Sequence, residues 1–427
     1  MKKQINRMVY ALLVCLFMCS CKKTDVGISD TDNIIGSEPG THSSMGESDN
    51  YYEVPDNTFV CNEWIKNGFL TEKYALYHGH SGRLQIFDVA SRADHVYCFD
   101  PGCEHKQSND PQKLCMAYNI SGMTVKYQGD QLYFLKRDGD LICSDRQGEN
   151  RKVIGRLPSY VPARKLLYSE DALFAIYFSN YEILEIEDGS GEPQWIYGEE
   201  SDKRLAGIVQ VNFTDGSSIE VFRREEYSGM VFYTDIRNEH LYFAYVYSEI
   251  PYMTPLGETK TSIPEEFQGL SVEEYIDNYN RRYWMDIYDY DIYNGELKKV
   301  VEALRPSFVS FCNGFFAVLN EEDQSTGLYR YTGERFRVLK DTMTADFWCD
   351  RHVLVVSDGE LQLIDENTGA VIKHVKEPEN GFSPKVIIGN SCYGLIMKGA
   401  GAVPCYLSTE DFWEGNFDKA IPFNVEP

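Results

Sequence analysis

The feature that most constrains the fold of this chain is an internal repeat. The stretch from Asp130 to Asp145 aligns without a gap with the stretch from Asp350 to Asp365. Each copy contains an apolar strand, an Asp-Gly pair, a second strand and a closing aspartate. Asp-Gly is a strong signal for a tight β-hairpin, because a type I′ turn needs a positive φ angle at both central positions. A chain that repeats such hairpins is expected to build antiparallel sheets.

The same strand-turn-strand unit recurs more loosely at residues 86–96, 290–301 and 329–339. Tyr, Phe and Trp make up 14% of the chain, and aromatic residues favour the pleated, half-buried surface of a sheet. Repeated antiparallel units are typical of a β-propeller, whose radial arrangement protects the edges of its sheets. The sequence therefore predicts an all-β fold, and within that class a β-propeller.

These repeated units resemble those of TolB-like and related β-propeller proteins of bacterial envelopes. The resemblance covers most of residues 51–427, and it implies an architecture without carrying over any catalytic residue. The third and fourth candidate blades are longer than the others, so the sequence predicts seven blades with six or eight as alternatives. The candidate blades lie near residues 67–106, 122–158, 165–222, 228–303, 307–340, 344–376 and 384–424.

An insertion at residues 248–284 interrupts the strand pattern of the fourth candidate blade. Ser271 and Glu274 have the spacing of a capping box, which marks the start of a helix. The residues that follow place an apolar stripe on one helical face, and they predict one short amphipathic helix. The stripe consists of Val272, Tyr275, Ile276, Tyr279 and Tyr283.

Long excursions from a regular fold are uncommon unless they are functional, because ordering them costs backbone entropy. Tyr252, Met253 and Trp284 lie in the insertion but off its apolar stripe. Aromatic side chains offer a large contact area with few rotatable bonds. We therefore predict these three residues as exposed contacts for a glycan, a peptide or a partner protein.

The first twenty residues have the pattern of a targeting segment. Lys2, Lys3 and Arg7 precede an apolar run that is too short to span a membrane as a mature helix. The run ends in Ser20-Cys21, which resembles a bacterial lipobox. The resemblance implies that Cys21 is lipidated and becomes the mature N-terminus, with an ordinary secretory signal as the alternative. An extracytoplasmic protein held at the cell membrane by its N-terminal lipid is the expected product.

Residues 21–50 are rich in Ser, Gly, Asp and Thr, and such a segment buries too little apolar surface to offset its chain entropy. We predict a disordered tether there and a propeller domain over residues 51–427. Lys and Arg total 41 against 66 for Asp and Glu, which gives a formal net charge of −25. Repulsion from polyanions therefore argues against nucleic acid as a partner.

Twelve cysteines occur in the chain, and nine remain after Cys15, Cys19 and Cys21, so they cannot all pair within one chain. Cys98, Cys103, His105 and Cys115 form the one dense group. Asp100-Pro-Gly-Cys103 suits a type II turn that brings Cys98 and Cys103 together. Two thiols can form a disulfide in an extracytoplasmic protein, and three thiols with one imidazole can hold a structural zinc ion. Both alternatives, and a third with neither, stay open, and in each the role is structural. We expect a disulfide or a metal ion there to staple the outer part of the first blade.

Catalytic motifs are sparse. The chain has no Gly-x-Ser-x-Gly elbow, no His-Glu-x-x-His, no phosphate loop and no dinucleotide fingerprint. Asp286, Asp289 and Asp291 alternate with apolar residues, which favours a solvated strand face. The sequence therefore favours a non-catalytic, surface-anchored binding module. The alternative is a secreted carbohydrate-active enzyme with paired carboxylates at the propeller channel.

Overall fold

The structure of the protein is a computed structural model. It describes residues 60–62, 68–78, 83–98, 103–106, 115, 117, 125–128, 131–136, 139–145, 149–158, 163–179, 182–186, 194–198, 203–253, 263–312, 314–320, 325–340, 343–344, 348–349, 353–357, 359–365, 367–378, 381–398 and 401–423. The predicted signal peptide, Cys21 and the predicted tether lie outside these residues. Within them, no helix is both long and apolar enough to cross a membrane.

Strands dominate the described residues. The first half of the chain contains β1 (Val60–Asn62), β2 (Gly68–Leu70), β3 (Tyr74–His78), β4 (Leu84–Asp88), β5 (Ala93–Val96), β6 (Val125–Gln128), β7 (Gln131–Leu135), β8 (Asp140–Asp145), β9 (Lys152–Arg156), β10 (Ala163–Tyr168), β11 (Ala172–Ser179), β12 (Glu182–Ile186), β13 (Gln194–Gly198), β14 (Lys203–Asn212) and β15 (Ser218–Arg237).

Two helices accompany the strands of the second half. This half contains β16 (His240–Ser248), α1 (Val272–Arg281), β17 (Tyr283–Asp291), β18 (Glu296–Leu304), β19 (Val309–Phe311), β20 (Phe315–Asn320), β21 (Ser325–Arg330), β22 (Arg335–Lys340), β23 (Met343–Thr344), β24 (Trp348–Cys349), β25 (Val353–Ser357), β26 (Glu360–Ile364), β27 (Val371–Lys376), β28 (Phe382–Ile388), β29 (Ser391–Lys398), β30 (Gly401–Ser408), α2 (Thr409–Glu414) and β31 (Ile421–Pro422). The all-β class predicted from the sequence is confirmed.

The described strands pair mainly with their neighbours in sequence, and the pairs are antiparallel except for β24 beside β28. Strands β10, β11 and β14–β18 form one seven-stranded sheet, and β12–β13 form a separate hairpin. Because β15 pairs with β14 through its first half and with β16 through its second half, we divide this sheet at β15. The seven strand groups named below are then group 1 (β1–β5), group 2 (β6–β9), group 3 (β10, β11, β14 and the start of β15), group 4 (the end of β15 and β16–β18), group 5 (β19–β22), group 6 (β23 and β25–β27) and group 7 (β24 and β28–β31). Groups 3 and 4 share β15, a single strand of 20 residues whose pairing shifts near Ser228.

The predicted hairpins explain how each group forms. Gly139 joins β7 to β8 and Gly359 joins β25 to β26, and both have positive φ angles of 88° and 76°. The aspartate that closes each repeat also has a physical role. The Asp145 carboxylate accepts a hydrogen bond from the Glu149 amide at 2.8 Å, and the Asp365 carboxylate accepts from Thr368. These carboxylates hold the turn that leads into the fourth strand of the group.

The two overlong candidate blades have separate structural causes. In group 3, the hairpin β12–β13 is inserted between β11 and β14, which pair directly with each other. In group 4, residues 249–282 connect β16 to β17. These strands pair from His240 with Asp291 to Ser248 with Tyr283, so the insertion extends from one end of an intact hairpin.

Apolar side chains fill the space between consecutive groups. Because strand side chains alternate between two faces, Leu132 and Phe134 of β7 pack towards group 1, whereas Tyr133 and Leu135 pack towards group 3. Equivalent apolar layers join groups 3 and 4, groups 4 and 5, groups 5 and 6, and groups 6 and 7. Both faces of the middle strands are therefore buried.

A seventh apolar layer joins group 7 back to group 1. Phe87 of β4 lies against Tyr406 of β30, and Tyr77 of β3 stacks on Phe423 with the ring centroids 4.8 Å apart. Polar contacts cross the same junction: the Tyr393 hydroxyl donates to the Thr71 carbonyl oxygen at 2.8 Å. Contact between the groups thus runs in chain order and returns to the first group.

The turns between third and fourth strands also touch the preceding group. Gly216 lies in the turn between β14 and β15, and its backbone packs directly on Ile154 and Gly155 of β9. In group 6, the carbonyl oxygen of Thr368 accepts a hydrogen bond from Arg337 of β22 at 2.9 Å. The outer strands of groups 2 and 5 are therefore held by the next group along the chain.

Candidate functional site

The structure brings together the four residues of the dense cysteine group. Cys98 follows β5, and Cys103, His105 and Cys115 lie in the connection from β5 to β6. One potential ligand atom from each residue lies within 4.8 Å of all the others. No disulfide joins any two of these three cysteines. We name this set the Cys-His cluster.

Local backbone geometry aims the cluster inward. His105 has a φ angle of +53°, a left-handed conformation that only a few per cent of non-glycine residues adopt. In this conformation its amide donates a hydrogen bond to the Cys103 sulfur at 3.3 Å. Its ring Nδ1 lies 3.7 Å from the Cys115 sulfur. His105 therefore contacts two of the three sulfur atoms, one through its backbone and one through its ring.

The surroundings of the cluster are apolar. Contact with the Cys98 thiol, together with burial, raises the pKa of the Cys115 thiol. Cys98 and Cys115 belong to the apolar layer between groups 1 and 2, and Cys103 packs against it. The sequence placed the cluster on the outer part of the first blade, whereas its side chains lie where two groups meet. A link among these residues holds the connection from β5 to β6 against this layer.

The insertion of group 4 forms the helix that its sequence predicts. Ser271 Oγ accepts a hydrogen bond from the Glu274 amide at 3.2 Å, and the Glu274 carboxylate accepts from the Ser271 amide at 2.9 Å. This is the predicted capping box. The described part of the insertion also contains a 3₁₀ turn at Glu265–Phe267.

The predicted apolar stripe of α1 faces a small core of its own. Tyr275 is 0% exposed, and its hydroxyl donates to the Pro251 carbonyl oxygen at 3.0 Å. The Tyr279 hydroxyl donates to Ser228 Oγ at 2.8 Å, which docks the helix on the shared strand β15. The insertion therefore has a fixed position on group 4.

The expectation that Met253 is an exposed contact is wrong. Met253 is 5% exposed, because it packs with Ile250, Phe267, Tyr275 and Tyr279 in the insertion core. Met253 reaches this core from the segment before the helix. Its position off the helical stripe therefore did not predict its burial. Tyr252 is 37% exposed, and its ring packs edge-on against Tyr279 with the ring centroids 5.4 Å apart.

Trp284 is half-buried at the base of the insertion. Its indole N–H donates to the Glu249 carboxylate at 2.9 Å. The Arg305 guanidinium lies 4.4 Å from the centre of the Trp284 ring and donates to the last carbonyl oxygens of α1, Asn280 and Arg281. A cation over an aromatic face is attracted by the ring quadrupole. Trp284 is thus fixed in orientation by Glu249 and by Arg305, which also contacts the end of α1.

The acidic residues of β17 have structural partners. Asp286 is only 2% exposed, and its carboxylate pairs with Lys299 at 2.9 Å and accepts from the Ala303 amide at 2.9 Å. The Asp289 carboxylate contacts His240 Nδ1 at 2.7 Å. The Asp291 carboxylate accepts from the amides of the following turn. These contacts lie within group 4, so this trio gives no support to a pair of catalytic carboxylates.

Asp286 is buried, whereas its sequence pattern predicts a solvated strand face. An alternating pattern of polar and apolar residues shows which face of a strand is buried only when the other face is exposed to solvent. In β17 both faces are covered by neighbouring groups, and a buried aspartate then needs partners such as Lys299. The available signal was the surrounding run of apolar residues on both sides of Asp286.

The described residues thus define an all-β protein of consecutive antiparallel strand groups. No protein-family model matches the chain. No curated protein matches it in sequence either. Among solved structures it is similar to BamB from Moraxella catarrhalis, with 14% identity, a TM-score of 0.37 and coverage of 82% of this chain and 96% of that one.

Two further solved structures are similar to this chain at comparable identity, coverage and TM-score. TolB from Acinetobacter baumannii has 13% identity, a TM-score of 0.33 and coverage of 77% of this chain and 73% of that one. Oligogalacturonate lyase in complex with manganese has 10% identity, a TM-score of 0.41 and coverage of 81% and 86%. With TM-scores below 0.5 and identities of 14% or less, these likenesses carry no conclusion about the fold, the function or the sites of this chain.

Proposed function

We propose that the chain is a lipid-anchored, non-catalytic binding module whose body is a seven-bladed β-propeller. Each strand group is one blade in this proposal. The observation that supports it best is the cyclic order of the seven apolar layers, which lead from group 1 through group 7 and back to group 1. The seven groups also follow the seven candidate blade ranges predicted from the repeat.

The binding surface in this proposal is the insertion of group 4. It has a core of its own and is docked on β15 through Tyr279 and Ser228, so it presents its outer side chains in a fixed arrangement. Tyr252 and Leu270 are exposed there, and Trp284 is held at the base of the insertion by Glu249 and Arg305. Preorganised aromatic side chains lose little entropy when they bind a glycan, a peptide or a protein.

A photo-crosslinking amino acid tests the binding surface. We expect a crosslinker at position 252 to capture a specific partner in cells that express the protein. Position 293 is a matched control, because Tyr293 is also an exposed tyrosine of group 4 but lies in the β17–β18 turn, at the opposite end of β17 from the insertion. Adducts would be compared by gel shift and mass spectrometry. Equal capture of the same species from both positions would contradict the insertion as the contact.

Membrane attachment is a separate proposal, and it rests on the Ser20-Cys21 pair after the apolar run. Replacing Cys21 by alanine removes the thiol that would carry the lipid. We expect this variant to move from the membrane fraction to the soluble extracytoplasmic fraction, measured by quantitative immunoblotting. A Cys143→Ala variant keeps the motif and should stay in the membrane fraction. A Cys21→Ala protein whose signal is cleaved but which stays membrane-bound would refute the anchor.

A further inference from the structure

We propose that the Cys-His cluster binds one Zn²⁺ ion through the sulfur atoms of Cys98, Cys103 and Cys115 and Nδ1 of His105. Zinc prefers thiolate and imidazole ligands, and a structural site uses four of them in a tetrahedron. Bond lengths of about 2.3 Å to sulfur and about 2.0 Å to nitrogen place the ligand atoms of such a tetrahedron roughly 3.5 to 3.8 Å apart. The observed distance from the Cys115 sulfur to His105 Nδ1 is 3.7 Å.

The backbone at His105 supports metal binding independently of the distances. A left-handed conformation at a non-glycine residue costs energy and persists where surrounding interactions hold it. Here it directs the ring towards Cys115 and the amide towards the Cys103 sulfur at the same time. An amide hydrogen bond to a ligand sulfur is an outer contact of the kind that orients metal ligands.

The convergence of four groups distinguishes zinc from a disulfide. A disulfide uses two thiols, and it would leave the third thiol and the half-buried imidazole close together without a shared role. Zinc uses all four ligand atoms, which lie within 4.8 Å of one another. A tetrahedral site with four protein ligands has no open position for a substrate, so the ion acts structurally.

The place of the cluster predicts what the ion does. All four ligands come from the connection between groups 1 and 2, and Cys98 and Cys115 also lie in the apolar layer between those groups. The ion therefore fixes this connection against that layer. A ligand that binds only the folded state stabilises it, so metal removal should destabilise the protein.

Metal analysis of the full-length protein tests the proposal. The protein is purified without a histidine tag or chelator, and its zinc content is measured by mass spectrometry. We expect about one zinc ion per chain in the wild type, as a closed four-ligand site requires. Cys103→Ser and His105→Ala should reduce the zinc content to background. Cys143→Ser is the matched control, because Cys143 lies on β8 outside the cluster, and it should keep the ion.

A second measurement avoids reliance on variants that fail to fold. Zinc in the wild-type protein is exchanged for Co²⁺, whose absorption spectrum reports tetrahedral thiolate coordination. Chelation should lower the thermal midpoint of the wild type and of Cys143→Ser alike. Three results would each overturn the proposal: zinc at background in the wild type, a disulfide between two of the three cluster cysteines in non-reduced peptides, or wild-type zinc content in Cys103→Ser.

Discussion

Replacing Tyr393 by alanine is expected to lower the free energy of unfolding by about 3 to 5 kcal/mol, the usual cost of removing a large buried aromatic side chain. Tyr393 is 0% exposed and packs in the layer that joins group 7 to group 1. Burial raises the pKa of its hydroxyl well above the ordinary value, so the hydroxyl stays protonated and donates to the Thr71 carbonyl oxygen. The loss would be measured as a shift of the urea unfolding midpoint.

Two further variants separate the contributions of Tyr393. Tyr393→Phe keeps the ring and removes the hydroxyl, which leaves the buried Thr71 carbonyl without this donor and should cost about 1 to 3 kcal/mol. Tyr293→Ala removes a tyrosine that is 82% exposed, and we expect a change within about 0.5 kcal/mol. If Tyr393→Ala unfolded at the same urea concentration as Tyr293→Ala, the junction between groups 7 and 1 would not contribute to stability as described.

Gly216→Ala should cause the second large loss of stability. Gly216 has a φ angle of +70°, which costs an alanine about 1 to 2 kcal/mol. A Cβ atom at this position would also lie far inside the contact distance of the Ile154 carbonyl oxygen on β9. Both partners are backbone and can move little, so we expect a further loss of about 1 to 3 kcal/mol from overpacking.

Gly359→Ala isolates the conformational part of this effect. Gly359 has a similar φ angle of +76°, but a Cβ atom there would meet no atom of the described residues within 4 Å. The Gly359→Ala variant should therefore lose only about 1 to 2 kcal/mol of unfolding free energy, which is the conformational cost alone. Urea unfolding of both variants gives the comparison. Equal losses would show that the turn of group 3 does not press on the outer strand of group 2.

The sequence predicted the class of the fold because its signals are local. Three signals depend on residues that are only a few positions apart: the Asp-Gly hairpins, the aspartate that closes each repeat and the capping box of α1. Asp145 and Asp365 therefore have the same structural role in groups 2 and 6. The overlong third candidate blade remained ambiguous, because an added hairpin such as β12–β13 has the same pattern as a regular blade strand pair.

The candidate sites were predictable only in part. The spacing of Cys98, Cys103, His105 and Cys115 marked them as a group, but not that their ligand atoms meet between groups 1 and 2. Met253 and Asp286 were misjudged for one physical reason. Their burial depends on tertiary contacts that local periodicity does not show: Met253 packs in the core of the insertion, and Asp286 lies on a strand with both faces covered.

The junction between the first and last groups has a consequence for the order of folding. Within each group the paired strands are close in sequence, so their hairpins can form early with little loss of chain entropy. The hydrogen bond from Tyr393 to Thr71 instead joins residues 322 positions apart. Group 7 supplies its outer strand β31 from its own stretch of chain. During synthesis from the N-terminus, group 1 therefore keeps one apolar face exposed until group 7 arrives.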